Sequence, residues 1–153
     1  MDNITASLVA TAAGITKDSP LLEVLLQRNT IMNLTDQSYH AVISPIAPGG
    51  ITHSERAALA CRMAKLNHSL DLSTHYSTMI NAVDTDLSDP DQETTGHPRR
   101  AAMARHTDIV TRSPKDVTND DISELIVEEL DLIGWNSPFY TTDCESEEDK
   151  KKR

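Results

Sequence analysis

The 153-residue chain is acidic and poor in aromatics, with 24 Asp and Glu against 14 Lys and Arg, a net charge of −10, and only one Trp, one Phe and three Tyr. A field of that sign repels phosphate backbones and anionic headgroups, which argues against nucleic acid and the membrane surface as partners. A chain of this length can bury a core without metals or disulfides. No run nears the ~20 apolar residues that span a bilayer, and Met1-Asp2-Asn3 lacks the basic start of a secretory signal, so a cytoplasmic protein is expected.

Helix signals recur along the chain, and no convincing strand alternation is present. Ile4, Leu8, Val9 and Ala12 mark one face of a first helix, with Gly14 as its C-terminal cap. Ser19-Pro20 opens a second through Leu21, Leu22, Val24, Leu25 and Leu26. A helical stretch from about Thr30 to Ile43 carries Met32, Tyr39 and Val42 and ends near Ser44-Pro45. Pro48-Gly49-Gly50 is a break, after which Thr52 and Glu55 have the spacing of a capping box. The helix they open, 53–66, is rich in small residues that allow a neighbour to approach closely.

Beyond Asn67, the apolar set Leu72, Tyr76, Met79, Ile80 and Val83 predicts a second helix over 71–83 that packs antiparallel on the first. Residues 84–97, with five Asp or Glu and Pro90, read as a solvated loop. Pro98 opens a helix with Ala101, Ala102, Ile109 and Val110 on its apolar side and Arg99, Arg100 and Arg105 largely outward. Thr118, paired with Asp121, caps a last helix whose buried stripe is Ile122, Leu125, Ile126, Leu130 and Ile133. Gly134 closes it. The expected organisation is a helical domain over 1–134 and a charged, disordered tail over 135–153.

Cys61 and Cys144 stand too far apart in sequence for a paired redox or metal motif. Cys61, within the Ala-rich helix, is expected to behave as a small buried hydrophobe. His40, His53, His97 and His106 form no spaced motif and read as surface or packing residues.

The stretch from Gly50 through Ser54-Glu55-Arg56, the Ala-rich helix, Asn67 and on to His75-Tyr76 resembles the core of the carboxymuconolactone decarboxylase and alkylhydroperoxidase D family. Arg100 to Ile122, including Arg105-His106-Thr107-Asp108-Ile109-Val110, is similar to the matching part of a subgroup. The resemblance covers about residues 1–130 and implies an all-α, alkylhydroperoxidase D-like bundle that assembles as a homo-oligomer. Family members continue into a further long apolar helix, where this chain has Gly134-Trp135-Asn136-Ser137-Pro138. A bundle lacking its C-terminal helix is therefore expected.

Active members of that family use a Cys-x-x-Cys pair, a histidine four residues beyond it and an upstream glutamate as a thiol relay against peroxides. Counting without a gap from Glu55 puts Asn67, Leu70 and Thr74 at those positions, and a shift of one puts His68, Asp71 and His75 there. Neither register holds a dithiol. By resemblance the catalytic candidates are Glu55, His68 and His75, although the capping box by itself fully explains Glu55.

His68, Asp71 and His75 also share a helical face at a spacing that could hold a divalent metal. The plainer alternative has Ser69 or Asp71 capping the helix, His68 in the turn and His75 half-buried. No cofactor is expected. The function expected is a peroxidase-class protein by descent with activity lost or altered. The alternatives are a non-catalytic helical module that binds itself or an active family member, and, more weakly, a decarboxylase-like or metal-assisted enzyme.

Overall fold

The computed structural model describes residues 7–92, 94 and 97–133, with side chains through residue 126. These residues form seven α-helices and no strand, and none of the helices is long and apolar enough to cross a membrane. The chain is all-α, as its periodicity predicts. Ile4, Gly134 and the tail lie outside the described residues, as do the side chains of Leu130 and Ile133.

The first helix, α1, spans Leu8–Ala12; Ser7 Oγ accepts from Ala10 N at 3.1 Å at its start. Gly14, at φ +63°, closes it: Ile15 N donates to Ala10 O at 2.8 Å and Gly14 N to Thr11 O at 3.1 Å. This Schellman arrangement favours glycine because a side chain is strained at positive φ. Helix α2 spans Leu21–Gln27 behind Pro20, and α3 spans Asn29–Ile43, joined to it through Arg28.

Helix α4, His53–Leu66, is the hub: it packs on α5 (Leu70–Ser77), on α6 (Pro98–Arg112) and on a short 3₁₀ turn at Asp86–Ser88. Ala57, Ala58, Cys61 and Ala64 are buried along it. Alanine adds little volume, so the neighbours seat against the α4 backbone, and the core cluster is Ala58 with Leu87, Met103 and Ala104. Helix α7, Asn119–Ile133, packs on α6 and adds Leu125 to that cluster. Its cap is the expected one, with Thr118 Oγ1 donating to Asp121 Oδ2 at 2.6 Å.

Several expectations need correction. Helix α5 ends at Ser77, well short of Val83, which is 78% exposed. Ser73, Ser77 and Thr78 hydroxyls donate back to the carbonyls of Leu70, Thr74 and His75, competing with the helical ladder just where it stops. The buried side of α6 is Ala102, Met103, Ala104 and Thr107, whereas Ala101 and Val110 are exposed. On α3, Val42 is 57% exposed, and on α7, Ile122 and Ile126 are 44% and 49% exposed. These helices carry apolar side chains on more than one face, so the expected sets mix buried or half-buried members, Met32, Ala102, Ile109 and Leu125, with exposed ones.

Candidate functional site

Glu55 is held twice. Its Oε2 accepts from Thr52 N at 2.9 Å while Thr52 Oγ1 accepts from Glu55 N at 3.1 Å, completing the capping box. Its Oε1 pairs with Arg99 Nη1 at 2.6 Å, and both residues are buried. Arg99 Nη2 also donates to Gly50 O at 2.6 Å, tying the start of α6 to the 48–50 break. The expectation that Arg99 and Arg100 point outward fails, because Arg99 finds Glu55 at the start of α4 and Arg100 finds Asp84 and Asp86 in the segment after α5. Arg105 alone of the three is largely exposed, bonded to Asp121 and Glu124.

His68 sits in the turn after α4 at φ +56°, where His68 N donates to Lys65 O and Ser69 N to Ala64 O, both at 2.9 Å. This is the position glycine fills after α1. The side chains of His68 and Asp71 are exposed and bond to no other described residue. Ser69 occupies the N-cap position of α5 without a side-chain bond. Among the described residues no group of three His, Cys, Asp or Glu side chains is placed to hold a metal, so His68, Asp71 and His75 do not form a ligand set. Cys61 is buried as expected, donating to Ser73 O at 3.4 Å. Burial pushes its thiol pKa up, Asp89 adds to the shift, and Lys65 and a Ser88 hydrogen bond only partly oppose it.

The first part of the acidic segment after α5, residues 84–89, is pinned rather than solvated, while Asp91 and Gln92 are exposed as expected and Glu93, Thr95 and Gly96 lie outside the described residues. Arg62, 4% exposed, forms a two-point pair with Asp108 at 2.5 and 2.7 Å and donates to Asp89 O at 2.7 Å and Leu87 O at 3.4 Å. Arg100 pairs with Asp84 at 2.6 Å and Asp86 at 2.5 Å. Burial raises the Asp84 carboxyl pKa, but hydrogen bonds from Ser54, Arg100 and Asn81 and the Arg100 charge outweigh it and hold the group below the ordinary carboxylate range. A cleft of about 430 Å³ beside this network is lined by Arg62, Arg105, Asp91 and Asp108, and both arginines are already paired.

His75 joins a different group. Its Nε2 lies 2.8 Å from Tyr39 Oη, which is also 3.6 Å from Met79 Sδ. The Tyr39 ring lies 5.0 Å from His40, 5.9 Å from His75 and 6.3 Å from Tyr76, centroid to centroid. Burial raises the pKa of both phenols, and proximity to Tyr39 raises Tyr76 further, so both stay protonated near neutrality. A second cavity, about 260 Å³, opens between α1, α3 and α5 against Leu8, Thr11, Asp36, Tyr39, His40 and His75. A Tyr–His pair can pass a proton, but among the described residues the one cysteine, Cys61, bonds elsewhere, to Ser73 O.

No family model, curated protein or solved structure matches the chain. Of the sequence candidates, the fold separates Glu55, His68 and His75 into a capped ion pair, a turn and an aromatic cluster. Sequence reasoning passed over Arg62, Asp36 and Tyr39. For Arg62 a signal existed: it follows Ala58 by four residues and Glu55 by seven, putting a charge on the buried face of α4.

Proposed function

We propose that this chain is a non-catalytic helical module that works by association with a second copy of itself through the exposed face of α3. Descent from the carboxymuconolactone decarboxylase and alkylhydroperoxidase D group accords with the Gly50–Tyr76 resemblance and with the oligomers it implies. One observation carries the reading: α3 is apolar on two faces. Met32 and Ile43 are buried, while Ile31, Leu34 and Val42, at steps of three and eight, form a second stripe 57–58% exposed. Helix α2 adds Leu21 and Val24, 57% and 51% exposed.

Energetics favour a weak but real contact. Full burial of such a side chain is worth about 1.5–3 kcal/mol, so five that are already half-covered regain roughly 4–8 kcal/mol per copy. Two copies regain twice that, against about 4–15 kcal/mol for lost freedom on association. Electrostatics do not prevent it. Residues 15–46 carry Lys17 and Arg28 against Asp18, Glu23 and Asp36, so 2 − 3 = −1 of the total −10 lies on this segment.

Amide exchange at low and at high micromolar concentration tests the reading. Slower exchange confined to 21–43 at the higher concentration is expected. Exchange there that is independent of concentration, or protection gained in 98–112 instead, contradicts it. A hetero-partner such as an active family member would give protection only on its addition.

A further inference from the structure

We infer that the cavity between α1, α3 and α5 is a binding site for a small organic ammonium ion, with Asp36 as the counter-charge and the rings of Tyr39, His40 and His75 as its wall. The site is independent of the association face. At 100° per residue, Asp36 and His40 fall roughly 140° and 180° around α3 from Ile31.

Three observations converge. Asp36 is half-buried, yet no Lys or Arg among the described residues pairs with it, whereas the half-buried or buried carboxylates of Glu55, Asp84, Asp86, Asp108 and Asp121 have arginine partners; half-buried Asp89 also lacks one, but its Oδ1 accepts from Asp91 N at 3.1 Å within its own turn. Its hydrogen bond, from Leu8 N to Oδ1, is long at 3.3 Å, which leaves acceptor capacity on the carboxylate. The same cavity is lined by the Tyr39 phenol, whose π face attracts cations, by the imidazoles of His40 and His75, and by Leu8 and Thr11, which offer apolar contact.

Sign and size narrow the ligand. A carboxylate or phosphate would meet Asp36 inside a protein of net charge −10, so an anion is disfavoured on both counts. The volume of about 260 Å³ holds roughly eight or nine groups at about 30 Å³ per water-sized unit. That suits a short alkylamine or a quaternary ammonium and not a drug-sized molecule. A metal ion is not the occupant favoured, because the described side chains offer no group of three ligating residues.

The full-length protein would be titrated with butylammonium and, separately, with butanol and butyrate as neutral and anionic isosteres, following the ring C–H resonances of all six histidines by NMR. Butylammonium is expected to shift the His40 and His75 signals saturably and to leave His68 and His106 unmoved. Asp36→Asn, which keeps an oxygen for Leu8 N, should weaken binding by roughly tenfold or more. Thr11→Trp should block the cavity without touching charge, and circular dichroism confirms that each variant is folded. Equal binding of butanol, binding of butyrate, no saturable shift with the cation, or unchanged affinity in folded Asp36→Asn each overturns the inference.

Discussion

Cutting the Arg62–Asp108 pair from its two ends should cost unequal amounts, and the inequality follows from where each end sits. The Arg62 side chain is 5% exposed and the Asp108 side chain 23%. Removing one partner of a buried pair costs about 3–5 kcal/mol because the other charge is left uncompensated. Asp108→Ala strands the guanidinium away from water, with only the Leu87 and Asp89 carbonyls as acceptors. A loss near the top of that range is expected. Arg62→Met strands a carboxylate that water can still reach, and it deprives two carbonyls of a donor at about 1 kcal/mol each. The expected loss is about 2–3 kcal/mol. The double variant Arg62→Met/Asp108→Leu removes both charges and should be no less stable than Asp108→Ala. Urea unfolding followed by helical circular dichroism measures all three. Additive losses in the double variant, or single losses under about 1 kcal/mol, would refute the assignment of this pair as the clamp on the 84–92 segment.

Three further outcomes are expected. His68→Gly should stabilise the protein by about 0.5–1 kcal/mol, since glycine adopts positive φ without strain; a destabilisation in thermal melts would mean the imidazole makes a contact of value. Asp84, whose folded pKa is depressed, contributes stability that is present above the unfolded carboxyl pKa of about 3.9 and lost as pH falls through the folded value. Urea midpoints should therefore drop in acid for the wild type, while Asp84→Asn is weaker at neutral pH and flatter in acid; equal midpoints at neutral pH would remove Asp84 from the account. Cys61, in a Cys144→Ser background, should react with maleimide far more slowly folded than in urea, as its buried thiol stays protonated; rapid labelling of the folded protein would show an accessible thiolate.

The capping signals were legible because they are local. Thr52–Glu55, Thr118–Asp121 and Gly14 each rest on hydrogen bonds within a few residues, and all three form as the sequence predicts. The arginines were not legible in the same way. Whether Arg99 points outward depends on which residues lie across α4, and that partner, Glu55, is 44 positions away. The acidic segment misled for a related reason: a run of aspartates looks solvated until Arg62 and Arg100 are seen to reach it from two different helices. On the candidate site, the three- and four-residue spacing suggested one helical face for His68, Asp71 and His75, whereas His68 lies in the turn, as the plainer alternative had it, and nothing local could reveal that Tyr39, 36 residues upstream, would take His75.

Sedimentation equilibrium across the micromolar range, on the wild type and on Leu34→Glu, tests the central claim most directly. The wild type is expected to move from the 16.8 kDa chain towards twice that mass as concentration rises. Leu34→Glu should stay at the chain mass with unchanged helical content, because the glutamate lies on the exposed stripe, where Leu34 is 58% exposed. A wild type that remains monomeric throughout, or a variant that associates as strongly as the wild type, would contradict the account.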